Sequence, residues 1–165
     1  MKEKIVHYTK EIALFFLVMI VLANGISYYK SSDLDTETFR VDSLKLIDDK
    51  EFVPESGKAL LVHFWATWCP TCKIEAGNIQ TISKEYQVLS LAVKSGSDIA
   101  LKEYLQEHAL DFDTYNDADA SLARKYNIGA YPTTFIYDKD KNLIFSEVGY
   151  TSTIGLYLRM WWAEL

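Results

Sequence analysis

Residues 59–66, ALLVHFWA, form a nearly unbroken apolar run, and Cys69-Pro70-Thr71-Cys72 follows after only two residues. A run this short and this apolar suits a strand buried on both faces. Pro70 suits the first position of a helix, where its missing N–H is one that a helix leaves unpaired anyway. The two features together require a strand that hands over directly to a helix with both cysteines at its start. Ile74, Ile79, Ile82 and Tyr86 supply a helical stripe behind them, and VLSLAV, 88–93, reads as a second buried strand parallel to the first. The fold class is therefore α/β.

The rest of the chain fits around this unit. TFRV and LKLI, on either side of Asp42 and Ser43, alternate as a small amino-terminal hairpin would, and residues 48–58 form a polar loop with Pro54 and Gly57. Asp98 can cap a helix with Leu101, Tyr104, Leu105 and His108 on one face. A shorter helix is expected near Ala118–Tyr126, with Leu122 inward, ending around Asn127 to Gly129. Tyr131-Pro132 then precedes TTFIY, a polar DKDKN loop and LIFSEV, which together read as a second hairpin. Thr151 or Ser152 opens a closing helix to Leu165. Its spacing places Ile154, Tyr157, Leu158, Trp161 and Leu165 toward the sheet and leaves Leu156, Met160 and Trp162 on other faces.

The amino terminus differs in kind. From Ile12 to Ala23 no charge interrupts IALFFLVMIVLA, and counted to Tyr29 the stretch is eighteen residues, near the lower limit of about 17 to 25 for a spanning helix. Lys2, Lys4 and Lys10 precede it, while Asp33, Asp35 and Glu37 follow, which places residues 31 onward on the outer side of the membrane. The expected organisation is an amino-terminal transmembrane anchor over 1–30, a polar tether over 31–37 and a catalytic domain over 38–165. The location that follows is the cytoplasmic membrane, with a single pass and the domain in the periplasm or its equivalent. A cleaved signal peptide, with Ala23 and Gly25 as small residues at the cut, is the alternative. The formal charge of −6 divides into +2 for residues 1–30 and −8 for the remainder. So acidic a domain, with no basic footprint, argues against nucleic acid as a partner.

Cys69 and Cys72 are the only cysteines. A disulfide between them closes too short a loop to stabilise the fold appreciably, since that gain grows with loop length. Lys73 stands where a c-type haem would need histidine, and His7, His63 and His108 offer no second ligand pair for zinc. Redox chemistry remains, with no cofactor and no metal required. A cysteine capping a helix lies where unpaired N–H groups and the macrodipole favour an anion, which lowers a thiol from about 8.5 toward roughly 3.5–7.5. Cys69 is then the attacking thiol and Cys72, one turn later, resolves the mixed disulfide. Soft thiolates also suit Cu(I), so a copper-binding dithiol without turnover is a second reading.

WATWCPTC with Glu75 behind it, followed much later by YPTTFI, resembles the thioredoxin superfamily, and most of all its membrane-tethered, extracytoplasmic TlpA-like branch. HFWATWC and the terminal VGYTSTIGLYLRMWW are most similar to its suppressor-of-copper-sensitivity D type, the protein disulfide oxidoreductases. The cytochrome c maturation reductases (DsbE or CcmG type) share WCPTC, but the acidic residue they carry after the later proline is Thr133 here. The resemblance implies a thioredoxin-like fold, a cis Pro132 against the cysteines, and a substrate-binding edge made by Trp68, Pro70, Thr71, Tyr131 and Pro132. It implies protein disulfides or thiols as substrates and a membrane electron donor of the DsbD type as partner. Tyr131 is bulkier than the residue usually found before this proline. His63 takes the place of a buried acid beneath the second cysteine, and Glu75 that of an active-site glutamate, which makes both candidates for proton relay. Trp65 is expected in the core and Trp68 over the site.

Overall fold

The central strand of the expected unit, β3 (Leu60–Trp65), is buried at all six positions and lies between neighbours on both sides in a computed structural model that describes residues 10–12, 14, 15, 18 and 43–165. Before it come β1 (Leu44–Lys45) and β2 (Glu51–Phe52); after it come α1 (Pro70–Ile82), β4 (Gln87–Val93), α2 (Asp98–Glu107), β5 (Thr114–Asp117), α3 (Ser121–Lys125), β6 (Thr133–Tyr137), β7 (Leu143–Val148) and α4 (Thr153–Ala163). The main sheet runs β5-β4-β3-β6-β7, with β3, β4 and β5 parallel and β6 and β7 antiparallel to their neighbours. The transmembrane segment expected over 1–30 lies largely, and the tether over 31–37 and the TFRV strand wholly, outside the described residues. Among the described residues no helix is long and apolar enough to cross a membrane.

Alternation along β3 divides the interior into two layers. Leu61 and Trp65 join Ile79 and Ile82 of α1, Leu101 and Leu105 of α2, and Leu156 and Met160 of α4. Leu60, Val62 and Phe64 face the other way, toward Ala123 and Tyr126 around α3 and toward Leu46 and Phe52 from the hairpin. The cysteine helix thus shares its layer with the closing helix.

Several expectations need correction. The partner of LKLI is Glu51–Phe52, inside the stretch read as loop, with Leu44 opposite Phe52. Strand β5 escaped notice because TYND does not alternate in hydropathy; it is held at the sheet edge by its ladder to β4. Ile74 is 71% exposed, and the inner stripe of α1 is instead Cys72, Glu75, Ala76, Ile79 and Ile82. Ser97, not Asp98, caps α2, because its hydroxyl accepts from the Ala100 N–H, while Asp98 accepts from Asn116. Helix α3 is shorter than expected and turns Ala123 inward, with Leu122 half-buried.

The largest correction concerns α4, whose orientation is opposite to the periodicity reading. Leu156, Met160 and Ala163 face the sheet, and Ile154, Tyr157, Leu158, Trp161, Trp162 and Leu165 are exposed. Polar pins decide this rotation. Arg159 pairs with Glu147 of β7 at 2.8 Å, and the Thr153 hydroxyl donates to the Asn78 side chain, which in turn donates to the Thr151 carbonyl.

Asp117 ends β5 and caps α3 from a buried position. Its carboxylate accepts from the Ser121 hydroxyl and from the N–H groups of Leu122 and Ala123. Asp117→Ala leaves those donors without a partner, and chemical denaturation is expected to show a loss of about 1–3 kcal/mol.

Candidate active site

Cys69 occupies the N-cap of α1 in extended conformation (φ −86°, ψ 115°), as the CP sequence requires, and its sulfur accepts from the Cys72 N–H at 3.3 Å. Both cysteines are free thiols. The turn between β3 and the cap is held by the loop that follows β4: the Thr67 N–H donates to the Ser95 hydroxyl, and the Trp68 indole donates to the Lys94 carbonyl at 3.2 Å. Lys94 adopts φ 47° there, which turns that carbonyl-bearing loop back under the tryptophan. Trp68 is 57% exposed and meets Tyr131 edge to face, with centroids 5.6 Å apart.

Because β6 runs antiparallel to β3, its entry lies beside the end of β3 that carries the cysteines. The Tyr131–Pro132 peptide is cis, and the Tyr131 carbonyl accepts from the Cys69 thiol at 3.5 Å. Pro132 is buried and its carbonyl accepts from Gly149 N–H. Pro70 is exposed and Thr71 half-buried at the helix tip. The residues expected to form the substrate edge come together beside Cys69 from two separate stretches of chain, 68–71 and 131–132.

Behind it lie the buried groups. Burial, reinforced by the Cys69 contact and by the charge of Glu75, pushes the Cys72 thiol well up, with a smaller opposing pull from the Ala66 backbone. Glu75 is fully buried at the sixth position of α1, so it is not a first-turn acid favoured by the helix dipole. One of its oxygens accepts from the Thr151 N–H at 2.8 Å and the other has no hydrogen-bond partner. Burial pushes its carboxyl up to about 7, opposed by the Thr151 N–H and aided by the charge of Glu147.

His63 is buried on the α1 side of β3, and its Nδ1 is 2.9 Å from the Thr134 hydroxyl. Burial takes it down to about 3, so its imidazole stays neutral. Sheet register extends this pair into a polar row beneath α1: Thr134 lies opposite His63, His63 opposite Ser90, and Ser90 opposite Thr114. Ser90 receives the Trp65 indole N–H and shares a 2.8 Å bond with Thr114. Thr134, Ser95, Thr151 and Glu147 were missed by sequence reading, and no local pattern marks them. Each acts through a contact between separate segments of the chain. Among the described residues no group of three or more His, Cys, Asp or Glu side chains is placed to hold a metal ion.

The raised carboxyl of Glu75 carries a stability consequence whose sign follows from the direction of its shift. The folded state holds this proton more tightly than the unfolded chain does, so the contribution is full below about 4.5 and is lost as pH rises through about 7. Thermal unfolding across that window should show the wild type losing stability toward neutral pH, and Glu75→Gln should flatten the slope.

The model of the AhpC/TSA family matches residues 36–146. A thioredoxin-like protein of Haemophilus influenzae is 32% identical over 145 residues, covering 87% of this chain and 80% of its own. The thiol-disulfide oxidoreductase ResA of Bacillus thuringiensis is 27% identical, with 85% and 90% covered. The crystal structure of a thiol:disulfide interchange protein of the thioredoxin family from Chlorobium tepidum superposes with a TM-score of 0.67 at 25% identity, covering 79% of this chain and 99% of that one. With a dithiol capping a helix beside a cis-proline edge, and relatives of this kind along nearly its whole length, the chain belongs to the AhpC/TSA family as a thioredoxin-like thiol-disulfide oxidoreductase.

Proposed function

We propose that this protein is a membrane-anchored, extracytoplasmic reductant of protein disulfides. The observation that carries the reading is the placement of Cys69 at the helix tip beside the Tyr131 carbonyl, with Cys72 and Glu75 buried on the inner face of the same helix. Cys69, as thiolate, attacks one sulfur of a substrate disulfide; the other substrate sulfur leaves and takes up a proton. The extended substrate segment lies along the Tyr131–Pro132 edge, with Trp68, Pro70 and Thr71 as its remaining walls. Cys72 then gives its proton to the carboxylate of Glu75 and attacks the sulfur of Cys69. The second substrate thiol departs, the substrate has gained two electrons, and the enzyme holds a Cys69–Cys72 disulfide. A membrane dithiol donor of the DsbD type returns it to the reduced form.

Glu75 rather than His63 serves as proton acceptor in this reading. A carboxyl at about 7 changes state in the working range, whereas an imidazole at about 3 does not. His63 acts as a positioning group through Thr134. The anchor assigned to residues 1–30 rests on their apolar run and on the lysines that precede it.

Insulin reduction should be abolished in Cys69→Ala, whereas Cys72→Ala should accumulate a mixed disulfide visible on non-reducing gels. Stoichiometric Cu(I) capture by the reduced wild type without any disulfide turnover would overturn the reading in favour of metal binding.

Glu75→Gln should slow release of the mixed disulfide by about 10²-fold or more, the usual scale of a lost general base. In the wild type that release should accelerate as pH rises through about 7, where the carboxyl ionises, and the variant should lack this inflection. Stopped-flow kinetics from pH 5 to 9 read both. Glu147→Gln should move the inflection to lower pH, because the charge of Glu147 helps hold the Glu75 proton.

A further inference from the structure

Helix α4 is apolar on two sides. Leu156, Met160 and Ala163 fill the core, while Ile154, Tyr157, Leu158, Trp161, Trp162 and Leu165 stand between 43 and 74% exposed. Their spacing of i, i+3, i+4, i+7, i+8 and i+11 makes one continuous stripe. Single exposed apolar side chains are ordinary, but six on one face mark a surface that meets something other than water. The charges nearest to it lie at its edges: Arg159 is engaged inward with Glu147, Glu164 follows the helix as its C-cap, and Lys139 reaches only the end of the stripe, where its ammonium donates to the Leu165 carbonyl.

We propose that this face of α4 lies on the surface of the lipid bilayer and holds the domain in one orientation there. The inference rests on the reading of residues 1–30 as a membrane anchor. Only residues 30–42 separate the apolar stretch ending at Tyr29 from the described domain. Thirteen residues reach at most about 45 Å when fully extended, so the domain stays within about its own diameter of the membrane. Indole and phenol rings mixed with Leu and Ile are the composition that settles at the boundary between headgroups and acyl chains. The domain beyond residue 30 carries −8, so the attraction is to apolar depth and not to anionic headgroups, and binding is insensitive to salt. The start of α4 also forms a wall of the dithiol site, through Thr151 and Glu75. Docking would therefore set how Cys69 is presented to a donor within the membrane.

All four tryptophans, Trp65, Trp68, Trp161 and Trp162, lie beyond the anchor, so their fluorescence reports on the domain alone. The test uses the full chain in phosphatidylcholine vesicles, with and without lipids brominated just below the headgroup. Emission should fall by about half in the brominated vesicles, since two of the four indoles are on the stripe. The loss should persist in high salt and disappear in Leu158→Lys and in Trp161→Ser/Trp162→Ser, both of which should retain insulin reduction. Vesicle flotation separates the two readings. A chain that does not float overturns the anchor and the docking together. A chain that floats with unquenched indoles overturns the docking alone, as does quenching that Leu158→Lys leaves intact. Cross-linking of the wild type into dimers through this face, with no quenching, would assign the stripe to a second copy instead.

Discussion

Everything at the dithiol depends on one junction, the passage from β3 into α1. Burial of all six residues of β3 fixes the strand on both sides, and Trp65 at its end is locked by the Ser90 hydroxyl. Cys69 must therefore cap the helix at a set point in space. From there the two neighbours of β3 supply the surroundings: β4 sends the Lys94–Ser95 loop under Trp68 and Thr67, and β6 delivers the Tyr131 carbonyl to the sulfur. A shift of β3 in register would separate these partners, because each belongs to a different ladder.

Desolvation acts with opposite sign on two buried titratable groups, one in the cysteine helix and one in β3. It raises the carboxyl of Glu75 and lowers the imidazole of His63, since in each case the neutral form is favoured away from water. The result is a carboxyl poised near neutrality and a histidine fixed as a hydrogen-bonding spacer. The Thr151 N–H keeps the first from rising further and ties the start of α4 to the cysteine helix. The environment of the buried carboxyl and the seating of the last helix are thus tied at one contact.

Much of the frame was legible from local pattern. Strands β3, β4, β6 and β7, the cysteine helix and the turn before α4 all announce themselves through apolar runs, Pro70, and Ser152, which accepts from the Gly155 N–H. Strand β5 did not, because edge pairing and not hydropathy makes TYND a strand. The face of α4 was misread for a different reason. With apolar residues on both sides of the helix, periodicity has two solutions, and the ion pair of Arg159 with Glu147 chooses between them.

By itself, then, the sequence determined the class of chemistry and the order of most elements. Two cysteines around Pro70 at the end of an apolar run leave few options other than a redox-active helix tip, and that inference needs no knowledge of distant contacts. Only the tertiary structure decided which buried group is held near neutrality, and which side of the last helix turns away from the sheet. Both depend on register and rotation, quantities set by contacts between separate elements, such as Thr151 with Glu75, Thr134 with His63 and Arg159 with Glu147. No window of neighbouring residues contains that information.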